Sequence, residues 1–198
     1  LPAMAALIVL PTPIITVLFQ RGEFGGDATN ATAAALVAFA IGMPAYVLIK
    51  ALAPGFFARE DTSTPVKIAI FACVLNVFLA ITLMSFLEHV GIALAAAISA
   101  WINALSLAFL LYRRGMLRPD KRLFFRAAGS CLASIAMAIA LWKISSWLFY
   151  WLSSGSYQGI IALAFLVIFG VFVYALLLQI LGVMRWNEMR SMLSKKRS

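Results

Sequence analysis

Few side chains in this sequence could do covalent or metal chemistry. The one histidine, His89, stands beside Glu88 in a two-residue polar break between apolar runs. Nothing lies near it at the spacing of a catalytic triad or a metal set. Cys73 and Cys131 are each embedded in apolar sequence without metal-ligand spacing, and read as small buried hydrophobes. There is no glycine-rich phosphate loop. The expectation is a protein that is not an enzyme, carries no cofactor and has no catalytic residue.

The remaining candidates are polar side chains inside apolar runs, where hydrocarbon makes them costly and function is the default explanation. Lys50 is seven residues before Phe57, the end of its run, which is about 10 Å of helix. A lysine at membrane depth costs up to about 2.5–3.5 kcal/mol. Two readings stay open. The ammonium can snorkel to the headgroups, or it can face a cavity and attract an anionic ligand. Asn76 sits in mid-run. Asn103 has Ser99 and Ser106 at i−4 and i+3, a polar stripe on one helix face. Hydrogen bonding between helices accounts for these asparagines as well as a ligand site does. Lys143, close to several aromatic residues, reads as a snorkelling anchor.

The elements that must hold these residues are membrane helices. The chain has 198 residues, 64% hydrophobic and 12% charged, with a mean hydropathy of +1.01. No soluble domain fits that composition. It begins at Leu1 inside an apolar run, so a piece of a longer protein is expected. Six runs approach the roughly 20 residues that a bilayer crossing needs: 1–19, 31–57, 66–87, 90–111, 127–151 and 159–181. Pro11 and Pro13 break the first, and Gly42 and Pro44 kink the second. Glu88-His89 makes the third and fourth an antiparallel hairpin. The fold class is therefore all-α, a polytopic helix bundle with six transmembrane helices.

The stretch from Ala53 to Lys67 organises the chain, because only there do prolines, a glycine and charges of both signs gather between two apolar runs. Pro54 and Gly55 are expected to loosen the end of one helix. Thr64 before Pro65 reads as an N-cap with proline at the first helical position. Asp61 and Thr62 are expected to accept hydrogen bonds from free N–H groups at the helix start.

Charge sets orientation. Arg59 and Lys67 lie in this loop. Arg113, Arg114, Arg118, Lys121, Arg122 and Arg126 lie in the basic linker after the fourth run. Arg185, Arg190, Lys195, Lys196 and Arg197 lie in the tail. These are thirteen of the 16 Lys and Arg residues. The opposite connections hold only Arg21. By the positive-inside rule, the carboxyl terminus is cytoplasmic. The net charge of +9 then serves topology and anionic lipids, at about 1 kcal/mol per cation near the surface, and nucleic acid is excluded as a partner. Trp142, Trp147, Tyr150 and Trp151 form an outer aromatic belt. Trp186, Met189 and Leu193 give the tail an apolar helical face that suits the inner surface, although a frayed terminus fits as well.

Two patches resemble the MurJ/MviN family of lipid II flippases, within the multidrug/oligosaccharidyl-lipid/polysaccharide (MOP) exporter superfamily. One is Leu18-Phe-Gln-Arg-Gly-Glu-Phe24, similar to the family's L-F-x-x-G-x-F turn. The other runs from Lys50 to Lys67, with Ala53, Pro54, Phe56, Arg59, Asp61, Thr64 and Pro65 placed as in the family. The hairpin with Asn76 and Gly91 is looser support.

The resemblance implies the carboxyl-terminal part of a MATE-like transporter fold, the last six of fourteen helices. Residues 1–112 would be the last four helices of the carboxyl-side lobe, and 113–126 a cytoplasmic linker. Residues 127–182 would be an added helix pair forming a lipid groove, and 183–198 a cytoplasmic tail. The implied function is translocation of lipid II across the bacterial cytoplasmic membrane by alternating access, for cell wall synthesis. The implied partners are lipid II, anionic lipids and the amino-terminal helices of the same protein. Lys50, Arg59, Asn76 and Asn103 become candidate cavity or gating residues, and Pro54, Gly55, Asp61, Thr64 and Pro65 the structural loop. Coupling to the membrane potential or to a monovalent cation is implied. Some members bind sodium through a polar pair on the third of these helices. Asn76 matches one member of that pair, but Ala80, a turn later, offers no ligand. Another exporter of the superfamily, for a lipid-linked oligosaccharide or a drug, and a non-transporting membrane scaffold are the alternatives.

Overall fold

A computed structural model of the protein describes residues 1–19, 25–117, 120–148, 151 and 157–182. All its regular structure is helical: α1 (Pro2–Val9), α2 (Pro11–Phe19), α3 (Gly26–Phe57), α4 (Ser63–Arg113), α5 (Lys121–Trp147) and α6 (Tyr157–Ile180). The tail with Trp186, Met189 and Leu193 lies outside the described residues, as do Gln20–Phe24, Arg118 and Tyr150.

The first apolar run is two helices bent by 76° at Leu10. Pro11 opens the second, where a missing N–H costs least. Helix α3 starts at Gly26, five residues before the apolar run. Asp27 favours the positive helix end. Thr29 and Thr32 donate their hydroxyls to the carbonyls of Gly25 and Ala28 at 3.0 and 2.7 Å. Polar residues that precede the apolar run 31–57 thus extend the helix.

The 51 residues of α4 are two helical stretches joined at a kink, where Glu88 has φ 48° and ψ −126°. A straight helix of that length would span about 76 Å. Instead Asp61, before its start, forms an ion pair with Arg114, after its end. The helix therefore reverses at Glu88 into two antiparallel limbs, 63–87 and 89–113. Gly91 enables the reversal: a methyl there would collide with the Leu83 carbonyl.

Helix α3 packs along α4, and small residues set the spacing. Ala93, Ala95, Ala97, Ala100 and Ala104 are buried. A methyl on Gly42 would lie 3.0 Å from the Ala97 Cα. Trp101 Nε1 donates to the Ile41 carbonyl at 2.9 Å, one turn before Pro44. The second packing centre joins α1, α2, α5 and α6 through Leu10, Val17, Met137, Leu141, Leu163 and Leu166.

Helices α3 to α6 are each long and apolar enough to cross a bilayer, and the bent α1–α2 pair passes the same test taken together. With α4 passing twice, that makes six crossings. Ile70, Phe71, Val74, Phe78, Ile81 and Phe86 on the first limb of α4 are all exposed, a surface made for lipid or a neighbouring helix. The chain is a polytopic helical membrane bundle.

Candidate functional site

Helical periodicity brings three elements together around one polar cleft. Tyr46 and Ile49 of α3 form one wall. Ala69, Ala72, Cys73 and Asn76 of the first α4 limb form the second, and Ser99, Ala100 and Asn103 of the return limb the third. The cleft encloses about 210 Å³. Within each limb the lining residues fall at steps of three and four, the spacing of a single helix face. Ser99 Oγ donates to the Ala96 carbonyl at 3.1 Å. Asn103 Oδ1 is shielded from solvent and has no hydrogen-bond partner among the described residues. The cleft therefore offers amide and hydroxyl groups but no carboxylate. Ala80 is not among the residues that line it.

The four polar candidates divide. Asn76 and Asn103 both line the cleft, from the two limbs of α4. Lys50 does not line it: one turn beyond Tyr46 on α3, it is exposed. Arg59 is exposed in the loop after α3. Ser106, on the Asn103 stripe, also lies outside the lining.

The loop differs from the sequence expectation in an instructive way. Helix α3 runs through Pro54 and Gly55 to Phe57, so these residues do not loosen its end. Gly55 lets α3 approach α4 closely, since a methyl there would sit 3.2 Å from Leu111 Cδ2. The helix ends instead in a Schellman motif. Asp61 N–H donates to the Phe56 carbonyl at 3.2 Å and Glu60 N–H to the Phe57 carbonyl at 3.0 Å. Glu60 holds the left-handed conformation, φ 60°.

The cap of α4 also moves. Thr64 is not the N-cap, because the helix already begins at Ser63, and Thr62 makes no side-chain cap bond. The capping group is the Asp61 carboxylate. Its Oδ1 accepts Thr64 N–H at 3.0 Å and Ser63 Oγ at 3.2 Å, and its Oδ2 accepts Thr64 Oγ1 at 2.7 Å. Pro65 is buried in the first turn, where it costs no intrahelical hydrogen bond.

Arg114 completes this cluster and is the residue that sequence reasoning misses. Its Nη1 donates to Asp61 Oδ2 at 2.6 Å and its Nη2 to Thr64 Oγ1 at 3.3 Å. Its guanidinium lies 5.4 Å from the ring centroid of Phe56, which is fully buried. The Arg114 guanidinium, then the Thr64 hydroxyl and N–H, hold the Asp61 carboxyl far below the usual carboxylate range. The available signal was an acid and a base flanking a hairpin, but sequence places Arg114 among linker cations.

Apart from the polar cleft, α1, α5 and α6, with Ile14 of α2, line an apolar groove of about 310 Å³. Ala6, Leu10, Met137, Leu141, Leu166 and Tyr174 are among its lining residues. Among the described residues, no three His, Cys, Asp or Glu side chains gather as a metal set would.

Comparison with known proteins places this arrangement. The family model described as Lipid II flippase MurJ matches residues 1–162. A protein of Rhizobium meliloti named probable lipid II flippase MurJ is 41% identical over 179 residues, covering 86% of this chain and 34% of that protein. One of the same name from Rhizobium tropici is 38% identical, covering 100% of this chain and 37% of its own length. Another from Vibrio cholerae is 36% identical over 92% of this chain and 35% of its own. The chain spans about a third of the length of the curated relatives it matches. It belongs to the MurJ family of lipid II flippases.

Proposed function

We propose that the protein to which these residues belong moves lipid II from the inner to the outer leaflet of a bacterial cytoplasmic membrane, for cell wall synthesis, by alternating access. The observation that carries this reading is the family match over residues 1–162. The physical layout supports it. Lipid II joins a charged, sugar-bearing head to a long polyprenyl tail. The tail calls for an apolar channel, and the groove between α1, α5 and α6 has that character. The head calls for cations and hydrogen-bonding groups at membrane depth, and Lys50 supplies a cation on a helix that contains Pro44 and Pro54.

In this reading residues 1–112 complete one transporter lobe, 127–182 form an added pair beside it, and the other helices of the protein supply the second lobe. The linker 113–126 and the tail 183–198 face the cytoplasm, a reading that thirteen cations against one support, and meet anionic lipid there. The protein acts as a transporter, not an enzyme, and needs no cofactor. The membrane potential or a monovalent cation drives the cycle. Depletion in cells tests the proposal. Lipid II reachable from outside the membrane should fall while total lipid II rises. Outer-leaflet lipid II that is unchanged after depletion would refute it.

A further inference from the structure

We propose that Arg114 is a positioning residue for transport. It clasps the loop after α3 to the end of α4, so that α3 and both limbs of α4 move as one body. This rests on the transport reading above. Three helix ends meet at the clasp. The end of α3 is closed by the Schellman motif at Glu60. The start of α4 is capped by Asp61. The end of α4 closes in a second motif of the same kind: Gly115 has φ 69°, Met116 N–H donates to the Leu111 carbonyl at 3.0 Å, and Gly115 N–H donates to the Tyr112 carbonyl at 2.9 Å. Asp61 follows the left-handed residue of the first motif, and Arg114 precedes that of the second.

Their ion pair therefore ties the two C-terminal ends side by side, over the buried cluster of Phe56, Leu107 and Leu111 against which Met116 and Leu117 pack. Mere attraction to headgroups would not aim the guanidinium at a carboxylate, a hydroxyl and a ring together. The planar fork of arginine makes all three contacts, and an ammonium cannot reproduce them. The linker to α5 starts here, so the clasp also fixes where the last helix pair leaves the lobe.

The test uses the whole protein, with Cys73 and Cys131 replaced by serine and spin labels at residues 58 and 112. Arg114→Ala should broaden the distance distribution between the labels. It should also slow lipid II transfer by about two- to thirtyfold, the range of a coupling residue, at normal membrane abundance. Arg114→Lys should restore part of both, and Asp61→Asn, which can still accept from Thr64, should reproduce the Arg114→Ala broadening. A narrow distribution in Arg114→Ala would overturn the clasp. A broad distribution with normal transfer would overturn the positioning role. If the unmutated protein transfers no lipid II, the functional reading fails, while the distances still decide the clasp.

Discussion

At Lys50 a cation stands about 10 Å inside a helix end, exposed and off the Asn76–Asn103 cleft. The sequence gives its depth but not its direction, and the structure turns it away from the polar groups nearest in sequence reasoning. In a strain that depends on this protein, Lys50→Gln should abolish growth at normal membrane abundance, and Lys50→Arg should partly restore it. Normal growth of Lys50→Gln would make the residue a headgroup anchor. Asp61 gives a second residue-scale expectation. Its folded pKa is lowered, so its contribution is present above the unfolded value of about 3.9 and is lost as pH falls through the folded one. Thermal stability should therefore show no loss from Asp61 between about pH 8 and 5 and should lose its contribution only below about pH 4. Asp61→Asn should remove that acid limb, and an identical pH profile in the variant would contradict the assignment. The sequence makes Asp61 legible as a helix-start acceptor, because that depends on neighbours two and three residues away. Its pairing with Arg114, 53 residues on, is illegible until the hairpin closes.

The elements were readable where a single physical rule decides them. Apolar runs become helices, paired prolines break the first run at Leu10, and Glu88-His89 reverses α4. Ends were less readable, because hydrogen bonding by Thr29 and Thr32 carries α3 back to Gly26, and α3 continues through Pro54. The Trp101–Ile41 hydrogen bond was illegible, since an indole in an apolar run is equally suited to lipid. The tightest element-scale constraint is Gly91. Gly91→Ala should destabilise the hairpin by about 1–3 kcal/mol through overpacking against Leu83. Gly26→Ala, with open space around it, should leave stability within about 0.5 kcal/mol. Matched thermal midpoints for the two variants would show that the limbs do not meet as described.

For the whole molecule, the orientation rests on charge alone. Engineered cysteines at positions 27 and 154 should react with an impermeant reagent from outside, and those at 63 and 194 only after the membrane is opened. Labelling of position 63 from outside would invert the topology. Six crossings were legible because the apolar runs are long and the loops are charged; the close packing of α3 on α4 was not, because it depends on which small residues face each other. The central claim is transport, and the most direct measurement is transfer of fluorescent lipid II between leaflets of vesicles carrying the purified whole protein. Transfer that exceeds protein-free vesicles, and that falls sharply with Lys50→Gln, is the expected result. Equal rates with and without the protein, under an imposed membrane potential and with monovalent cations present, would contradict the account.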